Sequence, residues 1–383
     1  MKRLLVIGEW FSSNLGDGVI GKNVEYCFKQ NSDYEIVMFD MALRNDFSDN
    51  EMVIPFGSFK NYKTLFIQKV NSLIFKERLL QRGFEAYAKQ YSMMLEKKVK
   101  EIKPSALIFG GGQMLMSYFL WKLEKTIDIA EKYSLPVFFN ACGIGNSMNA
   151  DVEKRISKLL QSRCIKYVSL RDGKKELERF VNRDLIDTFD TALFTNEVYE
   201  ISEIKTMKIG IGIMFTKYYS IAKQVAFWRK MLNNLQKNGV EFEVFTNGNG
   251  LDYSFCEYLL RGLKLDTNRY LAKRPLSPEE LVSIISHYNA IISMRLHSLI
   301  ISYSLGVPAI AIAWDKKVRA FYAKMNIEKY CFDLESSSNL IIEQLNILKN
   351  DADYYSQKKY AIERTKDNFV KMCRLIDENL GRI

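Results

Sequence analysis

The chain has 383 residues, 48% of them hydrophobic, with six prolines and 20 glycines; that suits two domains with full cores and leaves little room for disordered or low-complexity segments. Lys and Arg number 55 against 45 Asp and Glu, a net charge of +10, which favours acidic partners such as phosphorylated small molecules or anionic lipid headgroups. Cys27, Cys142, Cys164, Cys256, Cys331 and Cys373 show neither paired nor zinc-binding spacing and read as thiols of a reducing compartment, and no run approaches the roughly 18–20 apolar residues of a membrane span, so a cytoplasmic protein is expected.

KRLLVIGEWF (2–11) reads as a first strand; LLVIG is too short, and too soon followed by Glu9, for a signal peptide. SSNLGDGVIG (12–21) is a polar, Gly-rich turn leading into a helix near Val19, without the spacing of a nucleotide fingerprint. YEIVMFDM (34–41) is a second strand, 42–62 is irregular, and 63–100 is helical with a break near Gly83. Residues 59–100 carry ten basic and three acidic residues, interleaved with Phe59, Tyr62, Phe66, Phe75, Phe84, Tyr87 and Tyr91. This is either a solvated basic helix with a core-facing stripe or a peripheral contact with an anionic membrane. Nucleic acid is not expected as a partner, because no binding motif for it is present. ALIFGGGQML (106–115) is a buried strand, three glycines and Gln113, then a helix. Consecutive glycines cost backbone entropy, so either the turn is tight or a substrate packs against Gly111 and Gly112. LPVFFNACGIGN (135–146), KYVSLRDGKKELERF (166–180) and LIDTFDTALF (185–194) continue the pattern, with Arg171 and Asp190 at strand ends.

The polar stretch 195–206 reads as a linker, dividing the chain into domains 1–200 and 201–383. KIGIGIMF (208–215) restarts the strand–helix alternation. SPEELVSIISHYNA (277–290) opens a helix with Ser277 as N-cap and Pro278 in the first turn; His287 at its end reads as structural. AIISMRLHSLIISYSLGVPAIAIAWDKKV (290–318) is strand, turn, helix, strand, turn, with Arg295, Leu296 and His297 at the first junction. Two terminal helices fill 336–380, the last of which crosses back to the first domain. The fold expected is α/β: two Rossmann-like doubly wound domains facing a cleft, with ligands at the carboxyl ends of the strands. Helix starts and arginines there make an anion site, and a histidine beside them is a proton-transfer group.

The ordered motifs resemble the polysaccharide pyruvyl transferases, which are similar in architecture to GT-B glycosyltransferases. The likeness rests on Asn14-Leu15-Gly16-Asp17, Gly110-Gly111-Gly112, Gly143-Ile144-Gly145, Ser169-Leu170-Arg171-Asp172, Asp190 with Ala192, and above all Ser293-Met294-Arg295-Leu296-His297-Ser298 followed by Gly306 and Pro308. It implies phosphoenolpyruvate as donor, a pair of sugar hydroxyls on a glycan or lipid-linked oligosaccharide as acceptor, and no cofactor or metal. It implies Arg171, Arg295 and His297 as donor-site residues, with Lys317 from a Trp314-Asp315-Lys316-Lys317 segment in which Lys316 is the alternative. Asn14, Asp17, Gly111, Gly112, Asp190 and Leu296 are the further substrate-binding candidates. Asp17 or Asp190 accepts an acceptor hydroxyl proton on this reading, and Asp17 reads equally as a helix cap. The rival enzyme is a GT-B glycosyltransferase using a nucleotide sugar, which needs a late acidic residue for the ribose; Asp315 and Asp333 are the candidates. A non-catalytic anion- or glycan-binding module is a third reading, and it leaves His297 unexplained.

Overall fold

The apolar run LLVIG has no polar alternation, which suits a strand covered on both faces. It forms β1 (Arg3–Gly8), followed in chain order by β2 (Glu35–Asp40), β3 (Ala106–Phe109), β4 (Gly112–Leu115), β5 (Val137–Ile144), β6 (Ile165–Leu170) and β7 (Ile186–Asp187), then β8 (Ile209–Gly212), β9 (Phe242–Phe245), β10 (Ala290–Ser293), β11 (Ala309–Ile312) and β12 (Cys331–Phe332). The computed structural model describes residues 2–47, 53, 55–56, 78–145, 148–201 and 206–381, with side chains from 87 onward in the helix that begins at 78. Phe59, Tyr62, Phe66, Phe75 and the Phe84 side chain lie outside the described residues.

β1 to β7 make one parallel sheet in the order β2-β1-β3-β5-β6-β7, with β4 also on β5; β8 to β12 make a second, in the order β12-β11-β10-β8-β9. Arg3 to Gly8 of β1 face Glu35 to Asp40 of β2 in parallel register. Read from its other edge, the second sheet has the strand order of the first. Each therefore reverses direction at one point, between β1 and β3 in the first and between β8 and β10 in the second. Ligands of open α/β sheets bind beside such switch points, outside the strands' carboxyl ends.

Side chains alternate along each strand, so the first sheet has two different faces. Leu5, Ile7, Leu107, Phe109 and Phe139 form one core with Leu95 of the helix Arg78–Ile102 and Leu123 of the helix Ser117–Lys132. Leu4, Val6, Ile108 and Phe138 face the other way. Their core contains Val19 and Phe28 of the helix Leu15–Asn31 and Phe369 of the helix Lys358–Leu380, and it runs on into the second sheet. The two units are thus joined through apolar packing and through hydrogen bonds such as Leu15 N–H to the Asn247 carbonyl at 2.9 Å. The terminal helix docks on the first sheet: Asn368 Nδ2 donates to Asn140 Oδ1 at 2.7 Å, and Asn368 Oδ1 accepts from the Tyr167 hydroxyl at 3.0 Å.

The helix start at Ser277 is as the sequence reads, the Ser277 hydroxyl oxygen accepting from Glu280 N–H. Three local readings differ. The helix Arg78–Ile102 runs through Gly83 without a break; one glycine costs only ~1 kcal/mol in a helix interior, which packing offsets, as Tyr91 is wholly buried against Trp121. The triple glycine leads into β4 before its helix. The first helix begins at Leu15 and not near Val19, the polar turn residues Gly16 to Gly18 already being helical.

Candidate active site

β10 ends at Ser293, and Arg295 stands at the N-terminus of the helix Leu296–Ser304. Its guanidinium is held by Asp252 of the helix Gly250–Gly262, Nε donating to Oδ2 at 3.1 Å and Nη2 donating to the same oxygen. The other oxygen of Asp252 accepts from Phe215 N–H at 2.9 Å. Burial raises the pKa of Asp252, and the pull of Arg295 only partly counters it. Arg295 is thus anchored by a buried acid of its own domain. After β11, Trp314 Nε1 donates to the Met294 carbonyl at 3.0 Å. Asp315 accepts from Lys317 N–H at 2.6 Å and pairs with its Nζ at 3.3 Å. Lys317 Nζ also donates to Gln113 Oε1 of the first sheet at 3.3 Å. Lys317 faces the cavity and Lys316 is exposed.

Arg171 follows β6 and is buried. It is ion-paired with Asp190 and, at 3.3 Å, with Asp172. Burial acts to lower the Arg171 pKa, but the two carboxylates outweigh it and the guanidinium stays charged. Asp190 also accepts from Ala192 N–H at 2.8 Å and Asp172 from Ile144 N–H at 2.9 Å. Arg171 Nη1 lies 3.3 Å from His297 Nε2, and Asp17 Oδ1 lies 3.5 Å from His297 Nδ1. A guanidinium only donates, so Nε2 is the acceptor and the proton sits on Nδ1 toward Asp17. Burial lowers the His297 pKa; Asp17 opposes this and Arg171 adds to it. Burial, more than the guanidinium, thus favours the neutral imidazole.

The close fit around His297 needs Gly16. A Cβ there would stand 2.3 Å from the His297 Cβ, a distance no packed pair adopts. Asn14 precedes the helix Leu15–Asn31, and its Nδ2 donates to Asp17 Oδ2 at 3.1 Å. Asp17 lies in the first turn and not at the cap, and it faces the imidazole. Gly111 and Gly112 have φ of +114° and +81°, conformations that other residues rarely tolerate, and both line the cavity. The tight turn thus also forms part of the cavity wall.

These groups surround one cavity of about 160 Å³. Asn14, Asp17, Gly111, Gly112 and Arg171 line it from the first sheet, and Arg295, Leu296, His297 and Lys317 from the second. Asp190 does not line it; it lies behind Arg171. Sequence reading passed over Asp252, because it sits 43 residues before its partner, and Glu9 and Trp10, which directly follow β1 and also line the cavity. An acidic residue immediately after a buried strand was the signal available for Glu9. Burial, then Asp17, raise the Glu9 pKa to about 7. Among the described residues, no three His, Cys, Asp or Glu side chains are grouped as a metal ion would need.

A search of curated proteins returned no match. Among solved structures, the chain is similar to a putative UDP-N-acetylglucosamine 2-epimerase of Listeria monocytogenes, at 10% identity and TM-score 0.61, covering 100% of this chain and 97% of that one. It is also similar to S. aureus MnaA in its UDP co-structure, at 10% identity and TM-score 0.60, covering 100% and 98%. The UDP-GlcNAc 2-epimerase of Methanocaldococcus jannaschii gives 11% identity and TM-score 0.60, covering 99% and 100%. At such identities these likenesses show the fold, a GT-B-like pair of Rossmann-like units. The family model for polysaccharide pyruvyl transferase matches residues 14–316, a span that includes Asn14, Asp17, Arg171 and His297. The chain belongs to the polysaccharide pyruvyl transferase family, a family of transferases.

Proposed function

We propose that this chain transfers the pyruvyl group of phosphoenolpyruvate to two hydroxyls of one sugar, in a cell-surface polysaccharide or its lipid-linked precursor, forming a pyruvate ketal. The observation that carries this reading is the convergence of Arg171 from one sheet with Arg295, His297 and Lys317 from the other around a single cavity. The donor has a carboxylate and a phosphate to hold. Arg171 and Arg295 each present a guanidinium fork suited to such groups, and the acids that fix them, Asp190, Asp172 and Asp252, stay out of the cavity lining. Lys317 stands by the departing phosphate, and Leu296 brings the helix start to the donor. Asn14, Gly111 and Gly112 form the acceptor side.

The donor's own charge prepares the acid. A phosphate beside Arg171 offsets the guanidinium's repulsion and adds a negative charge near the buried imidazole, which favours its protonated form. It delivers that proton to the methylene carbon, oxocarbenium character develops at the neighbouring carbon, and one hydroxyl attacks there. The C–O bond to phosphate then breaks, and the second hydroxyl closes the ketal. Fixed cations around the site stabilise the developing charge without reorganising.

Thermal stabilisation tests the donor: phosphoenolpyruvate is expected to raise the melting temperature and a panel of nucleotide sugars including UDP-GlcNAc is not. A shift with nucleotide sugars alone overturns the reading. Against that rival, Asp315 is engaged by Lys317 and Asp333 by Arg319 and Ser336. The same proposal places the protein at the cytoplasmic face of the cell membrane. No helix among the described residues is long and apolar enough to cross a membrane. Met93 and Met94 of the helix Arg78–Ile102 are exposed, and with the net charge of +10 they support peripheral contact. Flotation with anionic vesicles at low salt, lost at high salt, is the expected result; no binding at low salt ends that part.

A further inference from the structure

We propose that Glu9 is the second proton-transfer group of this cavity, the one that serves the acceptor hydroxyls in place of Asp17 or Asp190. The inference rests on the ketal-forming reading above. It comes from asking which carboxylate around the cavity is free to exchange a proton. Asp190 is held by Arg171 and Ala192 N–H, Asp172 by Arg171 and Ile144 N–H, and Asp252 by Arg295 and Phe215 N–H. Asp315 caps its helix and pairs with Lys317. Asp17 accepts from Asn14 and lies against His297. Of the carboxylates that line the cavity among the described residues, Glu9 alone accepts no hydrogen bond; its nearest cation is Arg44, with Nη2 at 3.7 Å.

The charges that face Glu9 come from three elements, and they do not settle it as an anion. Asp17 on the helix Leu15–Asn31 and Asp40 at the end of β2 repel a negative charge there. Arg44, after β2, and Lys122 on the helix Ser117–Lys132 attract it. Lys122 is itself loosely engaged. It is 1% exposed, and its Nζ has no hydrogen-bond partner among the described residues; it stands 5.3–5.4 Å from the rings of Tyr87, Tyr118, Phe119 and Trp121. Burial dominates, and the Glu9 carboxyl exchanges its proton at about pH 7, where a general base and acid is most useful.

Ketal formation has a use for such a group. Two hydroxyl protons are released, one proton is gained by the methylene carbon, and one leaves on phosphate. His297 supplies the methylene carbon. Glu9 takes the proton of the attacking hydroxyl as its oxygen bonds to the donor carbon, and passes it to the phosphate as that C–O bond breaks. The second hydroxyl then returns a proton to His297, and both groups are reset.

The test uses the full chain labelled with [δ-13C]glutamate and titrated by NMR, the Glu9 signal being assigned by its loss in Glu9→Gln and its displacement in Glu9→Asp. A midpoint at about 7 is expected; one below about 5, the ordinary carboxylate range, overturns the proposal. In the same proteins Glu9→Gln is expected to keep the thermal shift with phosphoenolpyruvate. Its phosphate release from phosphoenolpyruvate, with a panel of nitrophenyl hexopyranosides as acceptors, should fall about 100-fold or more. Glu9→Asp should recover part of the rate with a displaced pH profile. An unchanged rate in Glu9→Gln overturns the proposal. Absence of any phosphoenolpyruvate shift in the unsubstituted protein overturns the donor reading instead, and the titration then decides Glu9 by itself.

Discussion

Two regions of the cavity hold their charges differently. Its cations, Arg171 from the first sheet and Arg295 and Lys317 from the second, are each backed by an acid outside the cavity lining: Asp190 and Asp172, Asp252, and Asp315. At the end of β1, Glu9 has one ion-pair neighbour at 3.7 Å, and Lys122 has only aromatic rings. The first arrangement fixes positive groups in place before a ligand arrives, so binding an anion costs little reordering. The second leaves a carboxyl whose charge is poorly stabilised and which therefore changes protonation easily. A site that must both grip an anion and move protons needs both kinds of construction.

Substitutions that break this contrast should have effects of opposite sign. The largest is Arg171→Met, which leaves Asp190 and Asp172 buried without their cation. A loss of about 3–5 kcal/mol is expected, read by urea unfolding, together with loss of the phosphoenolpyruvate shift. Glu9→Gln should instead stabilise. The folded-state pKa of Glu9 is about 7 against an ordinary 4.5, so between those values the folded state binds more protons than the unfolded state. Stability then falls as pH rises, and the penalty is complete above about 7. The amide removes it: a gain of up to about 3 kcal/mol at pH 8 that vanishes below about pH 4.5 is expected from thermal melts across pH.

Gly16→Ala sharpens the comparison at the imidazole, which lies between Asp17 and Arg171. The added methyl meets His297 at 2.3 Å, so one of the two helix starts must move; a loss of about 1–3 kcal/mol and a larger loss of transfer rate are expected. The smallest effects separate the two lysines. Lys317→Met should weaken the phosphoenolpyruvate shift because its ammonium faces the cavity, whereas Lys316→Met, at an exposed position, should leave both the shift and stability unchanged to within about 0.5 kcal/mol.

Much of this site is legible in sequence because it is local. Each strand end followed by a helix start is one short stretch, and Arg295, Leu296 and His297 lie within a single such junction. Asp315 is next to the helix it caps. What could not be read is what depends on distant partners. Asp252 holds Arg295 from another helix, and Asp190 is withdrawn behind Arg171 by an ion pair. Glu9 directly follows a buried strand, but nothing in its neighbours along the chain announces which charges face it. The same holds for Gly83: a local helix breaker is overruled by packing, here of Tyr91 against Trp121 and Phe39.

The sequence by itself determined the alternation of strand and helix, the carboxyl edges at which ligands sit and the residue types offered there, since periodicity, glycine placement and helix caps act over a few residues. Only the tertiary structure decided which of those groups meet. It set the two strand-order reversals facing one cavity, brought His297 between Asp17 and Arg171, and turned Lys317 toward the cavity while leaving Lys316 exposed. It also left Glu9 without a hydrogen bond among the described residues. Burial and pairing are properties of the packed chain, and they set charge and protonation.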